Sequence, residues 1–510
     1  MIQFHTELEL MTIKGNLYPD NVSNARKLGM LYLPEGPITR HYSFQSKYPA
    51  PMRHQAATAD FVTRYRRGYV FNDIGTGKTL IIDWLIDYLK REGEIKRALI
   101  ISPLSTLRSV HADELKWSLP HLSYTVLYGS KERRLRELAK DRDVYIINFD
   151  GVKTIWEDLY NRDDIDCVFI DELTTLRNKR TDRWKVIHQL YGPQRKNILC
   201  WGFTGSPRPQ APTDIYGQAM LINPDLLPQK AHFRTGQQVP IPFYKFRDLV
   251  MRKVSEWRWV ERPEAAEICN KILQPSIRFT RDVCSDMPKA ITEVRDVGLS
   301  REQERAYKEM LSTCRAEIGG VKFTAVNAGV KQLKLIQICA GALYGPDGAV
   351  HIVSCKPRLK VLKEVINLVL PRHTIVFAPF RNVVAYLLEE LQKEYGKDAV
   401  DYVISKDVPL KQRTLIYRNF TQGDLKIIVA TPGCMIHGLN LQTKCSTVVW
   451  WAPIQSFEIY EQANGRTDRT GQTVQPIVMQ LQGSAVERKL YKGLETRETA
   501  QNILRRLLER

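Results

Sequence analysis

Residues 72–79 read Asn-Asp-Ile-Gly-Thr-Gly-Lys-Thr, and this stretch decides the fold. An apolar run, Tyr69–Asn72, precedes it, and a helical pattern, Leu80–Leu89, comes after it. Glycines let backbone amides approach phosphate oxygens, and the start of a helix adds a favourable dipole. Gly75, Thr76 and Gly77 therefore read as a phosphate cradle, with Lys78 to neutralise the β- and γ-phosphates and Thr79 to ligate Mg²⁺. Asn72 stands where the strict form of such a loop has a small residue. A chance glycine-rich turn is the competing reading, and the strand before and helix after weigh against it.

Outward from the loop, short apolar runs alternate with helical stretches. Strands are expected at Tyr69–Asn72, Ala98–Ser102, Val144–Asn148, Cys167–Ile170 and Ile198–Phe203. Each is unbroken by charge, as a strand covered on both faces should be. The pattern fades between Tyr216 and Val350, then resumes at Thr374–Ala378, Asp401–Ile404, Lys426–Ala430, Thr447–Trp451 and Ile477–Gln480. Strand–helix alternation implies parallel α/β sheets. Two such domains are expected, with a mostly helical insertion between them. The segment Ala485–Arg510 reads as a charged C-terminal helix.

Asp171-Glu172 ends the Cys167–Ile170 run, at the strand end where a doubly wound sheet holds its ligands. Asp171 is a candidate Mg²⁺ ligand and Glu172 a candidate base for the attacking water. An ordinary acidic turn is the bland alternative. Near the other end, residues 462–472 read Gln-Ala-Asn-Gly-Arg-Thr-Asp-Arg-Thr-Gly-Gln. Arg466 and Arg469 are three apart, on one face if this stretch is helical. A guanidinium forks onto phosphate and suits charge that develops in a transition state. Without its Gln and Gly flanks the pair would read as a solvated basic face. Trp450 and Trp451 end an apolar strand, and core packing is favoured over stacking on bases.

With 510 residues the chain is too long for one core, and two to four domains are expected. Its formal net charge of +19 favours a polyanionic partner, nucleic acid above all. Nine cysteines are dispersed with no Cys-x-x-Cys pair, which fits reduced thiols and no zinc site. The N-terminus, with His5, Glu7 and Glu9, is not a secretion signal, and no apolar run could span a bilayer.

In order, these stretches resemble the superfamily 2 helicase-type ATPases of the SNF2 group, and more narrowly the compact SNF2-like proteins of bacteriophages. Pro51-Met52-Arg53-His54-Gln55 resembles the adenine-reading segment, with Gln55 the base contact. Ser102 to Leu107 resembles the motif that touches the nucleic-acid backbone, which implies contacts from Ser102, Leu104 and Thr106. Asp171 to Thr174 and Phe203 to Pro207 resemble motifs II and III, Thr431 to Leu441 motif V, and Gln462 to Gln472 motif VI. The resemblance implies nucleic-acid contact by Thr431 and nucleotide contact by Gln462. Thr174 replaces the His or Gln that in this family links motif II to motif III, and Asp468 lies between the two arginines where a non-acidic residue is common.

The resemblance implies two RecA-like lobes with ATP and Mg²⁺ in the cleft. Gln55, Lys78, Thr79, Asp171 and Glu172 would come from the first lobe, Arg466 and Arg469 from the second. The implied layout is a region 1–48 of unknown role, a first lobe 49–298 with an insertion at about 216–275, and a helical linker 299–352. A second lobe 353–484 and a C-terminal helix 485–510 complete it. The expected activity is ATP-driven translocation on duplex or branched DNA, by a monomer in the cytoplasm, host cytoplasm for a phage protein. A strand-separating helicase and a DNA-binding scaffold with little or no ATPase activity are the alternatives.

Overall fold

The computed structural model describes residues 2–5, 10–13, 38, 42–43 and 51–495, except 209, 257, 281–289, 319–320, 326, 346–348, 405–406, 435–440, 442–443 and 469–471. Most of region 1–48, residues 435–440, Arg469, Gly471 and the end of the expected C-terminal helix thus lie outside the described residues. The chain falls into two compact units that part between Ser285 and Asp286.

The first unit is built on a seven-stranded, wholly parallel sheet. Its strands are β1 (Arg67–Val70), β2 (Arg97–Ser102), β3 (Tyr124–Leu127), β4 (Val144–Asn148), β5 (Ile165–Asp171), β6 (Leu199–Phe203) and β7 (Ser276–Ile277). Their spatial order is β7-β1-β6-β5-β2-β4-β3. The five strands expected from apolar runs are all present, within a few residues of their expected ends. They form because their residues are buried nearly throughout, a burial that β-branched and aromatic side chains suit. β3 escapes that reading because it lies at the edge, where burial alternates between partial and full. Two apolar layers cover the sheet, one around Leu99, Ile147 and Ile170, the other around Ile82, Ile100 and Phe169.

Strand register sets where the loops emerge. Val70 of β1 faces Phe203 of β6, and Phe203 faces Asp171 of β5. Three neighbouring strands therefore end level, and the segments after them leave the sheet at one edge.

Between β6 and β7 the chain is not purely helical. Helices Ile215–Ile222, Phe243–Val250 and Ala265–Ile272 alternate with two antiparallel hairpins, Gln229–Ala231 with Gln238–Pro240 and Met251–Ser255 with Arg258–Glu261.

The second unit has six parallel strands: β8 (Ile291–Asp296), β9 (His373–Phe377), β10 (Val400–Val403), β11 (Ile427–Ala430), β12 (Cys445–Trp450) and β13 (Ile477–Gln482). Their order is β8-β13-β12-β9-β11-β10. β8 pairs along its whole length with β13, so Ile291–Asp296 belongs to this sheet although the sequence layout carried the first lobe to 298. Helices Arg301–Thr313 and Ala328–Ala340 pack together beside it around Ala306, Met310 and Ile338. A helix at 485–495 closes the described chain. Its Glu487 makes a two-pronged bond to Arg358 at 2.7 and 2.8 Å, with both side chains buried. Trp450 and Trp451 are fully buried. Their indole N–H groups donate to Asn464 Oδ1 and the Ala340 carbonyl, so both are core residues.

Candidate nucleotide site

The loop after β1 turns into helix α2 (Lys78–Arg91) through two left-handed glycines, Gly75 at φ 85° and Gly77 at φ 76°. Only glycine adopts such angles without strain. A side chain at Gly77 would also displace the Gln55 amide, since a Cβ there would stand 2.2 Å from Gln55 Nε2. Gln55 belongs to helix α1 (Arg53–Thr63) and bridges the Met52 amide and the Thr76 carbonyl. His54 reaches the same carbonyl at 3.0 Å, and burial holds its pKa below the ordinary value. Gln55 thus lies on the phosphate loop. The Lys78 ammonium is bonded to the carbonyls of Asn72 and Asp73, each at 2.9 Å. Thr79 comes next at the start of α2, partly exposed.

Asn72, the residue that departs from the strict loop pattern, is fully buried and has a bridging task. Its side-chain amide donates to Thr58 of α1 at 2.9 Å, and its side-chain oxygen accepts from the Phe279 amide at 3.0 Å. The neighbouring Arg278, also buried, donates to the Phe71 carbonyl and pairs with Asp73. The segment after β7 is thereby clamped to the root of the phosphate loop. No local pattern announces this, because the partners lie far apart in the chain, |i−j| being 207 for Asn72 and Phe279.

At the end of β5, Asp171 is bonded to His111 at 3.1 Å, a fully buried histidine that sequence reading did not single out. Glu172 has φ 63°, a left-handed conformation uncommon outside glycine. One of its oxygens, Oε1, accepts from Thr174 Oγ1 at 2.8 Å and from Thr204 Oγ1 at 2.9 Å. Thr204 is the first residue after β6. Thr174 and Thr204, from the segments that resemble motifs II and III, thus meet on one carboxylate oxygen. Gly205 packs on the phosphate loop, where a Cβ would meet Ile74 at 3.3 Å.

The proposed nucleic-acid residues divide. Ser102 is fully buried, so in this conformation its hydroxyl meets no outside partner, and Thr106 turns inward onto the Pro103 carbonyl. Leu104 is exposed. In the second unit, the partly exposed Thr431 contacts Cys434 Sγ at 2.8 Å.

The two arginines would share a face if their segment were helical, but Arg466 is not in a helix. The helix Phe457–Asn464 ends before Arg466, which lies in the next turn. Arg466 is buried, its Nε donating to the Gln462 carbonyl at 3.2 Å. Gln472 ties the turn down by donating to the Thr467 and Cys445 carbonyls. Gln462 and Asp468 are likewise buried.

The donor chemistry fits the expected ligands. Left-handed glycines, a helix start and a lysine on backbone carbonyls suit a polyphosphate. The Thr79 hydroxyl and Asp171 carboxylate are hard oxygen donors of the kind Mg²⁺ prefers.

Residues 54–339 match the SNF2-related domain, and residues 357–471 match the helicase conserved C-terminal domain. Putative protein p41 of Acyrthosiphon pisum secondary endosymbiont phage 1 is 24% identical over 434 residues, covering 83% of this chain and 89% of that protein. A Drosophila melanogaster homologue of the SWI/SNF-related regulator of chromatin subfamily A containing DEAD/H box 1 is 25% identical over 277 residues. The Gallus gallus DNA repair and recombination protein RAD54-like is 25% identical over 261 residues. The chain spans only 31% and 34% of those two animal proteins. Among solved structures, the Sulfolobus solfataricus SWI2/SNF2 ATPase core in complex with dsDNA aligns over 91% of this chain and 95% of its own, at 21% identity and a TM-score of 0.39. No described helix is long and apolar enough to cross a membrane. With the SNF2-related domain matched over more than half of its 510 residues, the chain belongs to the SNF2-related family and is a nucleic-acid-dependent ATPase with one large parallel sheet in each of its two units.

Proposed function

We propose that this protein is an ATP-driven translocase on duplex or branched DNA. The observation that carries the catalytic part is the Glu172 carboxylate, held by the hydroxyls of Thr174 and Thr204 beside the phosphate loop's own strand layer. Two donors on one oxygen hold the carboxylate in a fixed orientation, and a general base must be oriented toward the proton it takes. Glu172 would take that proton from the attacking water. The loop amides from Gly75 to Thr79 would cradle the ATP phosphates. Lys78 would exchange the neutral carbonyls of Asn72 and Asp73 for anionic phosphate oxygens, which are stronger partners. Thr79 and Asp171 would hold Mg²⁺, whose chemistry is to neutralise phosphate charge. Gln55 and Gln462 remain the proposed nucleotide contacts, and Arg466 and Arg469 the proposed transition-state cations.

The net charge of +19 and the relatives' links to chromatin and DNA repair support DNA as the track. ATP turnover measured with blunt duplex, single strands, forks, four-way junctions and RNA tests the reading. The expected result is strong stimulation by duplex or junction DNA, together with displacement of a third strand from a triplex. Unwinding of a forked duplex would replace it with the helicase reading. Near-zero turnover on every substrate would replace it with the scaffold.

A further inference from the structure

Phe233 is 85% exposed, more than any other large apolar side chain among the described residues. It sits at the tip of the hairpin formed by Gln229–Ala231 and Gln238–Pro240, part of the insertion that no nucleotide motif touches. A loose loop could expose a phenylalanine by accident. This hairpin is instead braced at both ends.

At its base the Ile241 amide donates to the Pro228 carbonyl at 2.8 Å, and Tyr216 donates its hydroxyl to the Ile241 carbonyl at 2.7 Å. Gln229 reaches back to the carbonyls of Pro224 and Leu227. At the tip, His232 donates its amide to the Gln237 carbonyl, and Gly236, at φ 68°, donates to the His232 carbonyl, both at 2.8 Å. Thr235 Oγ1 lies 3.1 Å from His232 Nδ1. The ring is therefore presented on a pre-ordered turn, so little ordering entropy opposes its use as a contact.

Charge indicates what it contacts. From 226 to 247 there is no Asp or Glu, while Lys230, Arg234, Lys245 and Arg247 fall within that span. Lys230 and Arg234 are exposed on the hairpin itself, and the Arg234 guanidinium stands 5.1 Å from the Phe233 ring centroid. An aromatic face with cations beside it matches a nucleobase flanked by phosphates. Intact duplex hides base faces inside the stack, so the ring gains a full partner only where a base is unpaired.

We infer that the 229–240 hairpin is a probe for unpaired bases, Phe233 stacking on a base while Lys230 and Arg234 hold the adjoining phosphates. This inference rests on the proposed DNA-dependent activity and adds to it a preference for forks, ends and junctions over continuous duplex.

The test uses the full chain and dye-labelled oligonucleotides: a blunt duplex, the same duplex with a forked end, and a single strand, each titrated by fluorescence anisotropy. Phe233→Ala should weaken fork and single-strand binding by about tenfold, within the range of a lost base–aromatic stack, with little change on the blunt duplex. Phe233→Trp should bind like wild type. Paired Lys230→Gln and Arg234→Gln changes should weaken binding and flatten its salt dependence. Unchanged fork binding by Phe233→Ala, or equal losses on fork and blunt duplex, would overturn the probe. So would a Phe233→Trp variant as weak as the alanine. A wild-type chain that binds none of the oligonucleotides would instead remove the DNA reading itself. Unchanged nucleic-acid binding together with capture of a protein by the same hairpin would overturn the probe and assign the surface to that partner.

Discussion

At the scale of single residues, the role proposed for Glu172 and its two threonines is open to direct test. Glu172→Gln keeps the shape and one acceptor oxygen but cannot take a proton. It should abolish turnover while ATP binding persists, as equilibrium binding of a labelled nucleotide would show; hydrolysis at the wild-type rate would take Glu172 out of the reaction. Thr174→Val and Thr204→Val each remove one hydroxyl from the same carboxylate oxygen. A hydrogen bond to a charged group contributes roughly 1.5–3 kcal/mol. If it steers the carboxylate in the transition state, kcat should fall by about 10- to 100-fold with the KM for ATP little changed. Thr174→Ser should restore most of it. A rise in KM at constant kcat would make these hydroxyls binding groups and not positioning ones. Arg466→Ala and Arg469→Ala should each lower turnover by orders of magnitude, by analogy with arginine fingers.

At the scale of elements, the helix that begins at Lys78 carries a buried acid on its far side. Asp83 is fully buried, its Oδ2 accepts from Ser118 at 2.8 Å, and its Oδ1 has no hydrogen-bond partner among the described residues. Burial pushes its pKa well above the ordinary 3.8, Ser118 opposes the shift, and the charge of Glu114 adds to it. A carboxyl raised in the folded state binds its proton more tightly there than in the unfolded chain. Its contribution is therefore complete below the unfolded value and is lost as pH rises through the folded one. Asp83→Asn keeps the acceptor for Ser118 and removes the titration. It should raise the melting temperature at pH near 8 and reduce the decline of stability with rising pH. Equal melting curves for both chains across that range would contradict it. In the second unit, Glu487→Ala leaves the buried Arg358 without its carboxylate. Removing one partner of a buried pair costs about 3–5 kcal/mol, so that unit should unfold well below the wild-type temperature.

At the scale of the whole molecule, the candidate catalytic residues are divided between the two units of the chain. The phosphate loop, Asp171 and Glu172 come before residue 285 in the sequence, and Arg466 and Arg469 come after it. The excess of positive charge has a measurable consequence. If several phosphates are contacted, DNA affinity should fall by about a thousandfold or more between roughly 50 and 200 mM salt, with a linear log–log slope. A flat salt response would argue that the charge of +19 serves something other than a nucleic-acid backbone.

The sequence by itself determined the parallel sheets, the phosphate loop and the acidic pair. Each is a local signal, an apolar run, glycines before a lysine, or carboxylates at a strand end, and local signals survive in one dimension. What only tertiary structure decided is long-range. The bond of His111 to Asp171, the meeting of Thr174 and Thr204 on one oxygen, and the clamp of Arg278 and Phe279 on Asp73 and Asn72 all join residues from different elements. The turn geometry of Arg466 and the two hairpins of the insertion were equally invisible, because short strands bury too little apolar surface to leave a periodic mark. Parallel pairing brings distant segments level at one sheet edge, and that register is set by packing and backbone hydrogen bonds across the whole sheet, not by any neighbouring residue.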